Sequence, residues 1–208
     1  DQAVVALEET YRRMRTDVEA TFPWRLDGDK TLDENLLTAA LRLANRAIVS
    51  QRNGRLRDMG STAVAMALCD AGVVIAHVGD SRIYRLRDGK LTQLTVDHSL
   101  FEEVRSSGIE TAMRSKRDCP FANVITRALG LPEKAEPEVR TVPVESGDLF
   151  LLCTDGFSDP LTDEQIEKLL REAVTDAGTL TKNAATKLVA AAYEAGSKDN
   201  ISTLVVQI

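Results

Sequence analysis

The chain has 208 residues, 43% apolar and 28% charged, which suits one soluble domain with a sizeable core. Its 26 basic and 32 acidic side chains leave a formal charge of -6, and that balance speaks against nucleic-acid binding, which draws on a basic face. A membrane-crossing helix needs about 18 or more consecutive apolar residues, and no such run is present.

No leader pattern opens the chain. The three cysteines, Cys69, Cys119 and Cys153, show no paired ligand spacing. Cys69 and Cys153 lie in apolar runs and read as buried. The odd, sparse count fits a reducing compartment, and the cytoplasm is expected.

Apolar residues at Val4, Leu7, Tyr11, Met14 and Val18 recur at helical spacing, predicting a first helix near residues 3–19. The stretch 20–33 is loop-like, and Asp33 with Glu34 begins a second helix over about 34–52 with a broad apolar face. At Ser61 the period changes. STAVAMALCD, GVVIAHVGD and SRIYRLRDGKLTQL predict an antiparallel meander over 61–95, turning at Asp70-Ala71-Gly72 and at Asp88-Gly89.

DHSLFEEVRSSG predicts a helix ending at Gly108. EPEVRTVPV is a strand bounded by prolines, which favours a sheet edge. SGDLFLLCTD is a turn and a buried strand. LTDEQIEKLLREAV is a helix with Thr162 as N-cap and Gln165 at N3, a capping-box pattern. AATKLVAAAYEAG is a helix stopped by Gly196, and ISTLVVQI is the final strand. Paired helices with hairpin-linked strands define an α+β domain.

Four aspartates stand where apolar strands begin or end: Asp80, Asp97, Asp155 and Asp199. Gathered carboxylates repel one another unless a cation lies between them, and hard ions such as Mg²⁺ or Mn²⁺ take oxygen ligands. Each aspartate taken alone is also an ordinary turn residue. Asp80 is expected to form an Asx turn or an ion pair with Arg82. His77 reads as a satisfied sheet residue and His98 as more exposed. Neither histidine has the partners of a Ser-His-Asp triad, and no nucleophile elbow or phosphate-binding glycine motif occurs.

GSTAVAMAL (60–68), HVGDSRIYRLRDGKLTQLTVDHS (77–99), VITRALG (124–130), LLCTDGFSD (151–159) and KDNISTLVV (198–206) occur in that order. Together they resemble the bacterial metal-dependent protein serine/threonine phosphatases of the PP2C (PPM) family. The resemblance implies an αββα sandwich of two antiparallel sheets flanked by helix pairs, in one PP2C-like domain over 1–208. It implies hydrolysis of phosphoserine and phosphothreonine in proteins by a metal-activated water, opposing a serine/threonine kinase, with no covalent phosphoenzyme.

The implied cofactors are two Mn²⁺ or Mg²⁺ ions, and a third in bacterial members. Asp155 and Asp199 match two metal ligands, and Asp97 resembles a ligand of the third ion. Gly79, Asp80 and Ser81 match an element that looks structural, and Gly156 supplies the tight turn after Asp155. Residues 100–122 correspond to a flap beside the active site, where Arg105, Arg114, Lys116 and Arg117 give a basic tint. Phosphorylated protein substrates and a cognate kinase are the implied partners, with a monomer expected.

The pattern departs from the family at its start. Family members open with a strand carrying an arginine and a second strand ending in Asp-Gly-x-Gly-Gly, and neither occurs in these residues. The domain is therefore expected to be incomplete at its N-terminus, and the 208 residues alone to be inactive. The competing expectation is a PP2C-like pseudophosphatase or binding module.

Overall fold

A computed structural model describes residues 2–17, 24–107, 119–122, 124–131, 135–175 and 178–208. The chain divides into two compact units, one of residues 1–79 and 98–143 and the other of 80–97 and 144–208. Each is a small antiparallel sheet with its own helices, the α+β arrangement expected from the sequence.

In the first unit, α1 (Gln2–Thr16) packs on α2 (Leu32–Gln51). The sheet has the order β1-β2-β5, from β1 (Ala63–Cys69), β2 (Gly72–Val78) and β5 (Glu138–Val142). The proline-bounded strand is thus an edge strand, as its composition predicts. Leu37 and Leu41 of α2 meet Val74 and Ala76 of β2, while Ala44 and Ile48 meet Val78 and Leu129. Between them α2 and β2 bury an apolar stripe and an apolar sheet face.

Helix α2 starts earlier than its acidic pair suggests. Thr31 is the N-cap, in a capping box with Glu34. Glu34 also reaches out of its helix: its Oε1 accepts from the N–H and the hydroxyl of Thr141, both at 2.8 Å. One carboxylate therefore closes the helix end and ties it to β5.

In the second unit the order is β4-β3-β6-β7, from β3 (Arg82–Arg87), β4 (Lys90–Gln93), β6 (Leu149–Cys153) and β7 (Thr203–Gln207). Against one face pack α4 (Asp155–Ser158), α5 (Asp163–Arg171) and α6 (Ala184–Glu194). Tyr84, Leu149, Leu151 and Cys153 of the sheet share a core with Phe157, Ile166, Leu170 and Leu188 of the helices. All five residues of β6 are buried, which explains a strand that is apolar throughout. Burial pushes the Cys153 thiol up to about 12, so it behaves as a small hydrophobe. Thr162 caps α5 in the predicted capping box with Gln165.

The single meander expected over 61–95 is instead two hairpins in two different sheets. β1 pairs with β2 and β3 with β4. The chain leaves the first sheet at Gly79, whose φ is +105° and where a Cβ would lie 2.4 Å from the Thr62 side chain. Only glycine fits that turn, and alternation of apolar residues alone cannot reveal a change of sheet. The Asp88-Gly89 turn is as predicted, with both residues at positive φ.

Candidate functional site

Asp155 lies two positions after the last residue of β6, and Asp199 precedes β7 by four positions. These strands are antiparallel neighbours, with Cys153 opposite Thr203, so both acids fall at the same end of one sheet. Local bonds bring them closer. The Thr154 hydroxyl donates to the Asn200 carbonyl at 3.1 Å and accepts from Ser202 N–H at 3.1 Å. Ser197 donates its hydroxyl to the Gly156 carbonyl at 2.7 Å.

Gly156 is required for close approach. A Cβ there would stand 2.3 Å from the Asn200 carbonyl oxygen. The tight turn expected after Asp155 is instead the first turn of α4, and it is the neighbouring 199–200 segment that excludes any side chain at 156.

Asp155 and Asp199 are held alike. Asp155 Oδ1 accepts from Gly156 N–H at 2.8 Å, and Asp199 Oδ1 accepts from Asn200 N–H at 2.7 Å. Each carboxylate is thus oriented through one oxygen by the next backbone N–H. Among the described residues no protein donor meets the second oxygen of either. Each of these two carboxylates at one sheet end keeps an oxygen of the type that hard divalent cations take.

A third acid joins this end through strand β3. Arg82 pairs with Cys153 in the β3–β6 ladder. Two residues outward on each strand stand Asp80 and Asp155. Asp80 is 4% exposed, a burial that a carboxylate tolerates only with compensation. An Asx turn or an ion pair with Arg82 is expected; the Arg82 guanidinium is forked onto Asp97, and Asp80 has a bond or charge contact of its own. Sequence reading leaned toward a structural Asp80. The signal for its placement lies in register, which brings its position opposite Asp155.

Asp97, which resembles a ligand of the third ion, is engaged by Arg82. Both of its oxygens receive Arg82, Nε at 2.8 Å and Nη2 at 2.7 Å, and Gln93 Nε2 reaches Oδ1 at 3.4 Å. The side chain is buried. A carboxylate so engaged serves first as the counter-charge of a buried guanidinium.

A separate grouping lies in the first unit. His77, His98 and Glu138 bring potential ligand atoms within 4.8 Å of one another. His77 and Glu138 face each other across β2 and β5. His98 is buried, against the expectation of exposure. Its Nδ1 accepts from Gly79 N–H at 3.1 Å, which leaves the proton on Nε2, 3.1 Å from Glu138 Oε1. Burial and the neighbouring His77 depress the His98 pKa, so the ring is held neutral.

The ligand types of this grouping suit a divalent cation of intermediate softness, but its present geometry is a hydrogen-bonded one. The nitrogen facing Glu138 carries a proton where a cation needs a lone pair. The two rings are stacked at 4.5 Å and 19° from parallel, so a cation in the plane of one lies out of the plane of the other. Arg127 Nη1 adds a bond to Glu138 at 3.2 Å.

Within the expected flap over 100–122, Ser99 caps α3 (Leu100–Ser106), and Arg105 bonds Glu102 of the same helix. Arg114, Lys116 and Arg117 lie outside the described residues.

The fold and the acids at its sheet end together define a small α+β domain with oxygen donors suited to divalent cations. The chain belongs to the protein phosphatase 2C family, whose model matches residues 2–192. It is 35% identical over 176 residues to a serine/threonine phosphatase, stp, of Listeria monocytogenes, covering 84% of this chain and 68% of that protein. It is 33% identical over 174 residues to the serine/threonine protein phosphatase PstP of Mycobacterium tuberculosis, covering 83% of this chain and 32% of that protein.

Among solved structures, that mycobacterial phosphatase matches at TM-score 0.74 with 30% identity, over 99% of this chain and 83% of that one. The catalytic domain of a serine/threonine protein phosphatase PstP in complex with two manganese ions matches at TM-score 0.72 with 30% identity, over 98% of this chain and 79% of that one. These likenesses support a divalent-metal cofactor. Among the described residues no helix is long and apolar enough to cross a membrane.

Proposed function

We propose that this protein hydrolyses phosphoserine and phosphothreonine in proteins, with Asp155, Asp199 and Asp80 holding divalent cations, Mn²⁺ or Mg²⁺. The observation that carries this reading is that these acids fall at the same end of one sheet, in a chain whose relatives are serine/threonine phosphatases. When bound, the cations supply acidified water and neutralise phosphoryl charge.

The chain's own residues orient the donors. Gly156 N–H and Asn200 N–H turn the two carboxylates, and Thr154 ties their backbones together. The Arg82–Asp97 ion pair, neutral as a unit, braces the strand end at Cys153, two residues before Asp155. Asp97 joins a third cation only by giving up part of that pair. Residues 100–122 act as the flap that governs substrate access.

The physiological partners on this reading are phosphoproteins and the kinase that modifies them. The protein works as a monomer in the cytoplasm, in keeping with three free cysteines.

The test is Mn²⁺-dependent hydrolysis of a phosphothreonine peptide and of p-nitrophenyl phosphate by the full-length protein, with Asp155→Asn as control. Activity that needs the metal and disappears in the control is expected. Equal rates in the two proteins would overturn the reading in favour of a binding module.

A further inference from the structure

Trp24 is the chain's single tryptophan, and two arginines of α2 lie over its ring. The Arg46 guanidinium is 4.5 Å from the ring centroid and that of Arg42 is 5.7 Å away. The two stand four residues apart, on one face of the helix. Their charges have different fates. Arg42 is forked onto Glu136, with Nε at 3.1 Å and Nη2 at 2.6 Å. Arg46 is exposed and meets no carboxylate among the described residues.

Pinning the loop before α2 accounts for the tryptophan and for Arg42, whose charge Glu136 offsets. It does not account for a second, uncompensated cation on the same ring. A guanidinium held against an indole has lost much of its freedom while its N–H groups remain available. Such a group binds a carboxylate bidentately with little further ordering. Arg25, next along the chain, is also exposed. In a protein of net charge -6, the exposed Arg46 guanidinium over the indole offers a carboxylate-free cation to an acidic partner.

We infer that Trp24, Arg42 and Arg46 form a docking surface for an acidic peptide segment of the protein substrate, with Arg46 receiving a carboxylate. This rests on the reading that the protein acts on phosphoproteins. The surface belongs to the first unit and Asp155 and Asp199 to the second, so binding and turnover can be measured separately.

The binding arm titrates the full-length protein with an unphosphorylated peptide rich in Asp and Glu, followed by calorimetry and tryptophan fluorescence. Saturable binding with a Kd below about 1 mM is expected, weakened by salt. Arg46→Gln should weaken it about tenfold, the scale of one charge-assisted contact. A peptide with Asn and Gln in place of the acids should not bind.

In the turnover arm, Arg46→Gln should raise KM for a phosphothreonine peptide with acidic flanks. It should leave kcat, and hydrolysis of p-nitrophenyl phosphate, unchanged. No binding of the acidic peptide, or binding that is the same in Arg46→Gln, overturns the docking surface. Loss of turnover by the unmodified protein would strike the phosphatase reading alone, because the binding arm needs no catalysis.

Discussion

Arg82 and Asp97 form a two-pronged ion pair at 2.8 and 2.7 Å, with the Asp97 side chain almost wholly removed from water. The remaining guanidinium nitrogen donates to the Tyr84 hydroxyl at 3.0 Å. Burial by itself would lower the Arg82 pKa, but the bonds to Asp97 outweigh it and keep the guanidinium charged. Arg82 stands opposite Cys153, so the pair props the strand that carries Asp155.

Removing one member of such a pair leaves the other charge buried and unmatched. Asp97→Asn should destabilise the protein by about 3 kcal/mol, the usual scale for breaking a buried pair. Urea unfolding of the metal-free protein checks this. A variant of unchanged stability that loses Mn²⁺ affinity would mean that Asp97 serves the metal instead.

Asp155→Asn and Asp199→Asn should do the reverse. Each side chain keeps its carbonyl oxygen for the neighbouring N–H, so metal-free stability should change by less than about 1 kcal/mol. Mn²⁺ affinity should fall in calorimetric titration, and hydrolysis should drop about 100-fold or more. Asp80→Asn should also weaken Mn²⁺ binding, since register sets its position opposite Asp155. Unaltered Mn²⁺ binding in all three variants would refute the assignment.

Gly156→Ala should disturb the site without touching a carboxylate. The new methyl would press on the Asn200 carbonyl, displacing the segment that carries Asp199. A cost of about 1–3 kcal/mol is expected, as for overpacking, together with weaker Mn²⁺ binding. Urea unfolding and metal titration on the same sample test both. An unchanged metal affinity would show that the 199–200 approach is incidental.

Asp148 ties the turn before β6 to β3, receiving Arg87 Nε at 2.7 Å and Nη2 at 2.6 Å and the Glu145 N–H at 3.0 Å. Burial alone would raise its pKa, but the Arg87 and backbone bonds prevail and hold it below the usual carboxylate range. The folded state therefore binds this proton less readily than the unfolded chain. The resulting stability is complete above the unfolded value, about 4, and is lost as pH falls through the lower folded value. Urea midpoints measured from pH 6 downward should fall more steeply for the unmodified protein than for Asp148→Asn. Parallel curves would exclude the effect.

Most of the elements could be read directly from the sequence because their signals are local. The Thr162–Gln165 capping box, the Asp88-Gly89 turn and the apolar run of β6 each depend on residues a few positions apart. Thr31 escaped notice as a cap because Asp33 and Glu34 offered a plausible start two residues later. The family resemblance of LLCTDGFSD and KDNISTLVV likewise pointed to Asp155 and Asp199.

Partner choice could not be read that way. Arg82 lies two residues from Asp80 and fifteen from Asp97, yet it bonds Asp97. The return of the chain after β4 decides that, and residue type does not. His98 looked exposed beside Asp97 and is buried by Gly79, His77 and Glu138, which come from distant stretches.

The sequence by itself determined the α+β class, most of the helices and turns and the acids available to a metal, since backbone preference and apolar period act over short range. Tertiary structure alone decided which strands share a sheet, that Asp80 stands opposite Asp155, and that Asp97 answers Arg82. Those outcomes depend on sheet register, and register is set by the packing of whole strands against their helices.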